Sequence, residues 1–360
     1  MIRILHIVTY MGRGGLETLL MNCFRHIDRE QVQFDFLVHR DFHADYDDEI
    51  EALGGKIYRL PRLNPISPEY YQALDTFFRA HSEYKIVHCH LDCMSAIPLS
   101  IAKKHGVPVR IAHSHNANQD RDWKYPLKLF FKHFIPHTAT HFFACSRDAG
   151  SWMFPGQNVI ILNNGIDAEL FRFDSAVRAQ MRDQLSLADA LVIGHTGRFA
   201  PQKNHTFLID IFREIKKRRP DSTLLLIGTG EMEDSIRHKV DSLGLSDSII
   251  FLGSKPDVYR YLQAMDVFVM PSLYEGLSLA SVEAQASGLP CFFSDTVSAE
   301  CQMSDKVSFL PLSSPAEHWA EHILSVDISS RSSGHGDVRQ AGFDIQSTTD
   351  KLIYFYQKHW

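Results

Sequence analysis

A chain of 360 residues is long enough for two α/β domains, each burying its own core. Hydrophobic residues make up 44% and charged residues 22%, the balance of a soluble enzyme, and a net charge of -6 excludes bulk nucleic-acid binding. No apolar run is long enough to span a bilayer, and the six cysteines (23, 89, 93, 145, 291, 301) lack framework spacing, so they read as reduced thiols of a cytoplasmic protein.

The run Met1-Ile-Arg-Ile-Leu-His-Ile-Val8 is short and breaks at Gly12, which reads as a first strand and not a signal peptide. The first half then alternates β-rich runs with helical patterns. Strands are expected over 3–9, 33–39, 56–60, 85–90, 109–115, 141–145 and 159–162, and helices over 17–27, 68–80 and 95–105. The second half restarts the pattern, with strands over 191–196, 223–228, 249–253, 267–270, 291–294 and 307–310 and helices over 205–218, 231–243, 258–264 and 279–286. Alternation of this kind predicts parallel sheets with helices on both faces. The expected class is α/β, with two Rossmann-like domains (1–168 and 169–345) facing a central cleft and a last amphipathic helix within 346–360. Ser329–Gly336 is the most linker-like stretch.

The loops that follow these strands carry the chemistry. Gly12-Arg-Gly-Gly-Leu-Glu17 opens a helix, and Gly14 and Gly15 would let backbone amides approach an anion. A dinucleotide GxGxxG fingerprint fails because Glu17 stands at its third glycine; Asp35 and Asp41 are nearby but complete no ribose pattern. In Gly194-His-Thr-Gly-Arg-Phe-Ala-Pro-Gln-Lys-Asn-His205 a strand ends at Thr196 and Asn204 is placed to cap the next helix. Arg198 and Lys203 therefore hang over the carboxyl end of a parallel sheet, where fixed cations stabilise a departing diphosphate. Leu225-Leu-Ile-Gly-Thr-Gly230-Glu231 and Phe251-Leu-Gly253 are further glycine turns, each explicable singly as ordinary loop usage. Finally, Pro271 and Gly276 turn the chain out of a buried strand, with Ser278 a candidate N-cap for the 279–286 helix. The amides of Leu277, Ser278 and Leu279 would face an anion, with Glu275 in the loop and Glu283 about a turn into the helix.

Glu275-(x7)-Glu283 is preceded by Pro-Ser-x-x-Glu-Gly and followed by Gly288-Leu-Pro290. With Gly-Arg-x-x-x-x-Lys-Asn over 197–204, it resembles the donor-site motifs of family-4 retaining glycosyltransferases, nearest to the bacterial surface-polysaccharide subgroup. The resemblance implies the GT-B fold, with the last helix packing back on the first domain. It implies transfer of a sugar from a nucleotide-diphosphate sugar, UDP by family frequency, to a hydroxyl of a glycan or lipid-linked acceptor, with anomeric configuration retained and no metal or cofactor. By the same resemblance Arg198 and Lys203 hold the diphosphate, Gly14 and Gly15 lie under the phosphates, and the Gly230 loop lines the nucleotide. Glu283 accepts both ribose hydroxyls and Glu275 faces the donor sugar near its anomeric carbon. A histidine after the fifth strand borders sugar and acceptor; alignment of Ala112-His-Ser-His115 favours His115, with His113, deeper on the same face, as the alternative.

Two stretches admit more than one reading. His88-Cys-His-Leu-Asp-Cys93 holds metal-type ligands, but without a second cluster it reads as a strand end, and no metal is expected. Within 119–141, apolar residues from Trp123 to Ile135 interleave with Lys124, Lys128 and Lys132 at every fourth position. That pattern fits a helix lying on the inner face of a membrane, through 123–135, and fits equally a core helix with a wet edge. For the whole chain, a GT-B sugar-nucleotide epimerase and a non-catalytic UDP-sugar-binding module would keep the same donor motifs. A nicotinamide dehydrogenase would need a fuller glycine fingerprint.

Overall fold

The structure, a computed structural model, describes residues 1–116 and 125–360. These form two compact units, 1–165 with 345–360 and 166–344; the sequence reading placed the divisions at 168/169 and 345/346.

The first unit holds a seven-stranded sheet of β1 (Ile2–Ile7), β2 (Val32–Val38), β3 (Ile57–Arg59), β4 (Ile86–Cys89), β5 (Val109–Ser114), β6 (His141–Ala144) and β7 (Val159–Ile161). All pairs are parallel, in the order β3-β2-β1-β4-β5-β6-β7. Every residue of β2 and β4 is buried, which is why these strands read as continuous runs and not as alternation. The helices are α1 (Gly15–His26), α2 (Asp47–Ala52), α3 (Pro68–Ala80), α4 (Ala96–Lys104), α5 (Tyr125–Thr138) and α6 (Arg147–Met153). One apolar cluster gathers Phe24, Phe34 and Phe36 with Leu352 and Tyr356; another gathers Tyr70, Leu74, Phe77, Ile97 and Leu99. Asp35, considered above for ribose, is fully buried and used structurally. It takes Arg3 at 2.5 and 2.6 Å, the Tyr84 hydroxyl at 2.7 Å and the Lys56 amide at 2.8 Å.

The second unit holds α7 (Ser175–Gln184), β8 (Val192–Thr196), α8 (His205–Arg218), β9 (Thr223–Ile227), α9 (Glu233–Ser242), β10 (Ile249–Gly253) and α10 (Val258–Ala264). It continues with β11 (Val267–Met270), α11 (Leu279–Ala286), β12 (Cys291–Ser294), β13 (Val307–Leu310), α12 (Ala316–Ser325) and α13 (His335–Gln340). Its six parallel strands run β10-β9-β8-β11-β12-β13. The chain then returns to the first unit as α14 (Ile345–His359), which packs on α1 and buries Leu352, Phe355 and Tyr356.

Every strand expected from the sequence is present, its ends displaced by one or two residues at most. The linker reading of Ser329–Gly336 is wrong. Arg331 is held by the carbonyls of Leu262, Gln263, Met265 and Ser287 at 2.8–3.0 Å, and Ser333 and Gly334 bond to Ala286. A serine-rich composition hides an arginine that satisfies buried carbonyls at the ends of two helices.

In each sheet the strand order reverses beside the first strand of that unit, between β1 and β4 and between β8 and β11. Ligands of open α/β sheets bind at the carboxyl ends of strands flanking such a reversal. In the first unit that position is bordered by the loop 8–14 and by His90; in the second, by Gly197–Asn204 and Pro271–Ser278.

Candidate active site

In the second unit, three loops meet at the carboxyl ends of the central strands. The amide of Phe199 donates to the Thr229 carbonyl at 3.0 Å, and the Met232 amide to the Phe199 carbonyl at 2.9 Å. A Cβ on Gly230 would lie 2.5 Å from the Phe199 oxygen, so only glycine lets the 228–231 turn press against the 197–200 loop. On the other side, the Leu273 amide donates to the Gln202 carbonyl at 2.8 Å, and Gln202 Nε2 donates to the Tyr274 carbonyl at 3.0 Å. Asn204 sits at the N-cap of α8 but in a left-handed conformation (φ 53°), and its side chain does not cap. It donates instead to the Pro271 carbonyl at 3.1 Å, tying the two loops together.

These ties bring Lys203 onto Glu275. Their charged atoms lie 2.6 Å apart, with side chains only 14% and 13% exposed. Arg198 reaches the other way and pairs with Glu231 at 2.9 Å, both side chains in solvent. The two cations thus flank one glycine loop, but each engages a different carboxylate. Gly276 lies at the turn, its carbonyl accepting from Cys301 Sγ at 3.1 Å, and the Glu275 carbonyl accepts from the Ser298 amide. Ser278 takes the N-cap position of α11 without a side-chain cap bond. Leu277, Ser278 and Leu279 lead into the first turn of that helix, where the positive end of the dipole favours an anion. Glu283, one turn further on, is half-buried, and burial pushes its carboxyl up to about 7.

Residues the sequence reading passed over complete this site. Gln202 Nε2 donates to the Tyr274 carbonyl and lies 3.4 Å from Glu275 Oε2, the oxygen that Lys203 engages, and Glu231 holds Arg198. His195 and His205 lie near Lys203, with His195 Nε2 and both ring nitrogens of His205 buried and without a partner among the described residues. Their place inside the Gly194–His205 motif was the available signal, overshadowed there by the charged residues.

In the first unit, α1 begins at Gly15 with Gly14 at the N-cap. The Glu17 carboxylate folds back so that a Cβ on Gly14 would collide with it, and burial pushes its carboxyl up to about 7. An acidic group of the chain itself thus occupies the helix terminus. His113 is 2% exposed, whereas His115, the first residue after β5, is half-buried. They do not stand alone. His6 Nδ1 lies 3.1 Å from His90 Nε2, and His90 Nδ1 lies 2.9 Å from His115 Nε2. His88 Nε2 lies 3.1 Å from His113 Nδ1, and His88 Nδ1 lies 2.6 Å from the Tyr356 hydroxyl. Burial holds all five rings far below the usual histidine range, that of His115 at about 3, so they are neutral at physiological pH.

Helix α5 buries Ile135 and Thr138 and leaves Leu127, Leu129, Phe130 and Phe134 39–56% exposed. Of the basic stripe, Lys132 places its ammonium 4.1 Å from the Trp152 ring centre, and Lys124, like Trp123, lies outside the described residues. Among the described residues no helix is long and apolar enough to cross a membrane.

Comparison with known proteins accounts for both units. Residues 13–170 match the family model described as Glycosyltransferase Family 4, and residues 177–327 match that of Glycosyl transferases group 1. The chain is 36% identical to EpsF of Bacillus subtilis (strain 168), whose name marks it as an inferred glycosyltransferase, over 98% of this chain and 96% of that protein. It is 26% identical, over 62% of this chain and 61% of the relative, to the UDP-Gal:alpha-D-GlcNAc-diphosphoundecaprenol alpha-1,3-galactosyltransferase of Escherichia coli. Among solved structures, Anabaena Alr3699/HepE in complex with UDP-glucose superposes with a TM-score of 0.83 at 16% identity, covering 99% of this chain and all of that one. With family models matching both units and a relative of this identity along nearly its full length, the chain belongs to the family-4 glycosyltransferases and has their GT-B fold.

Proposed function

We propose that this enzyme moves a sugar from a nucleotide-diphosphate sugar, with UDP the first nucleotide to test, to a hydroxyl of a glycan or lipid-linked oligosaccharide, retaining the anomeric configuration. The observation that carries the reading is the half-buried Lys203–Glu275 pair at 2.6 Å, held by two loops at a strand-order reversal. A diphosphate arriving there would draw Lys203 off Glu275 and take Arg198 from Glu231, so that both cations neutralise the leaving group. The amides of Leu277, Ser278 and Leu279 would add the helix terminus. Glu275, released, would accept from donor-sugar hydroxyls near the anomeric carbon, and Glu283 would accept from both ribose hydroxyls. Gly230 keeps the Arg198 loop close to its neighbour. Gly14, Gly15 and His115 are the first unit's contribution in this reading. Loss of the diphosphate precedes attack by the acceptor on the face it leaves. No carboxylate is assigned as a covalent nucleophile, and no metal or cofactor is needed to offset the diphosphate charge.

The relatives support the substrate classes. The E. coli relative is named for UDP-galactose and a diphosphoundecaprenol acceptor, and HepE has been solved with UDP and with UDP-glucose. A place in extracellular or capsular polysaccharide synthesis follows, in the cytoplasm at the inner membrane face, with the exposed apolar residues of α5 meeting the lipid. The test offers UDP- and GDP-sugars with and without a lipid-diphosphate acceptor and measures released nucleoside diphosphate. Acceptor-dependent release, unchanged when Mg²⁺ and Mn²⁺ are omitted, is expected. Interconversion of the donor without acceptor would make the protein an epimerase instead, and restoration of a lost activity by Mn²⁺ would contradict neutralisation by Arg198 and Lys203.

A further inference from the structure

The histidine cluster of the first unit has more nitrogens than partners. Of its ring nitrogens, His6 Nε2, His113 Nε2 and His115 Nδ1 are buried and have no hydrogen-bond partner among the described residues. A neutral imidazole has one N–H and one lone pair. In the chain His6–His90–His115, whichever way the protons run, one end is a donor with no acceptor and the other a lone pair with no donor. His113 adds a third stranded nitrogen. Charging the rings offers no escape, because no acidic side chain is among their hydrogen-bond partners. Single nitrogens of His90, His113 and His115 all lie within 4.8 Å of one another, as do those of His6, His88 and His90.

We propose that His90, His113 and His115 form a binding site for a divalent transition-metal ion, of the kind that imidazole nitrogens select: Zn²⁺, Co²⁺ or Ni²⁺ and not Mg²⁺ or Mn²⁺. The ligand atoms are His90 Nδ1, His115 Nε2 and the free Nε2 of His113. The His90–His115 separation of 2.9 Å would open to about 3.3 Å, the edge of a tetrahedron whose metal–nitrogen bonds are about 2.0–2.1 Å. The metal would give the stranded His113 Nε2 a partner, while the remaining protons of His6 at Nε2 and of His115 at Nδ1 keep no acceptor among the described residues. His90 keeps Nε2–H and donates it to His6 Nδ1. His113 keeps Nδ1–H and donates it to His88 Nε2, whose own Nδ1–H donates to the Tyr356 hydroxyl. Ligand histidines are oriented by such outer partners. The choice between the two triads follows from access. His6, His88 and His90 are 0–5% exposed, whereas His115 follows the end of β5 and is half-buried, which leaves a fourth coordination position open to water or a ligand oxygen.

The experiment adds Zn²⁺ or Co²⁺ alone to full-length chain stripped with chelator. About one equivalent of Zn²⁺ per chain by calorimetry, visible d–d absorption of tetrahedral Co²⁺ and a rise in Tm with Zn²⁺ are expected. His115→Gln, at the solvent end of the cluster, should abolish all three signals while its metal-free Tm shows the fold intact, and His113→Gln should do the same. Tyr356→Phe, which reaches His113 only through His88, should weaken binding by no more than about tenfold. The rival is the His318–His322 pair on α12, one helical turn apart. Binding that is lost in His318→Gln/His322→Gln and survives in His115→Gln overturns the proposal, as does wild-type chain that takes up neither ion.

Discussion

Lys203 and Glu275 neutralise one another at 2.6 Å with little solvent around them, so removing either alone strands the other. Lys203→Ala should cost about 1–3 kcal/mol of stability and lower turnover about 10²–10³-fold. Lys203→Ala/Glu275→Gln should recover the stability but not the turnover, and chemical denaturation beside a steady-state assay separates the two effects. Arg198 and Glu231 are both exposed, so Arg198→Ala should leave stability within about 0.5 kcal/mol while still lowering turnover about 10²-fold. Glu283 carries a pH dependence whose sign is fixed by its environment. Burial moves its carboxyl from the ordinary 4.5 up to about 7, so the penalty falls on the ionised form. The stability it contributes is full below pH 4.5 and is lost as pH rises through about 7. Relative to Glu283→Gln, wild type should lose about 3 kcal/mol across that window; a difference that stays flat would mean that the carboxylate is solvated. Apart from Glu231, these residues could be picked out of the sequence because each sits in a short motif that follows a strand end. The role of Asn204 could not be read in the same way. An asparagine before a helix ordinarily caps it, and only the approach of Pro271, some distance along the chain, redirects its amide.

Elements with strong periodicity were legible, because buried parallel strands and glycine turns leave local marks. Short helices such as α6 and α13 have too few turns to show a stripe. The stretch Ser329–Gly336 misled because its composition is that of a linker, while its stability rests on one side chain. Burial pulls the Arg331 guanidinium down to about 9, the mark of a charge removed from water, yet four carbonyls hold it in place. Arg331→Ala should therefore destabilise the protein by about 2–4 kcal/mol in urea or guanidinium unfolding. A change under about 0.5 kcal/mol would restore the linker reading. For α5, the exposed Leu129, Phe130 and Phe134 set the expectation. Wild-type chain should co-sediment with anionic vesicles, and Phe130→Ser/Phe134→Ser should reduce the bound fraction at least about threefold. If wild type stays in the supernatant, α5 is a core helix with an open edge.

At the scale of the molecule, alternation of strand and helix was enough to anticipate two parallel sheets, and both carry their loops of interest where strand order reverses. What alternation cannot convey is which distant strands lie side by side. His6 belongs to β1, His88 precedes the end of β4, and His113 closes in from β5, so their association depends on sheet order and register. Read as isolated short motifs, His88-Cys-His90 and His113-Ser-His115 each fall short of a ligand set; together with His6 they form a buried cluster. The donor motifs escape this difficulty because Gly197–Asn204 and Pro271–Ser278 follow the adjacent strands β8 and β11. The central claim is that the second unit grips a sugar nucleotide by its diphosphate so that the sugar can pass to an acceptor. Its most direct test follows nucleoside diphosphate release by wild-type enzyme from UDP- and GDP-sugars with and without a lipid-diphosphate acceptor, reading the anomeric configuration of the product by NMR. Release that requires the acceptor, with the donor's configuration preserved, is the expected result. Release or epimerisation that ignores the acceptor, or a product of inverted configuration, would contradict it.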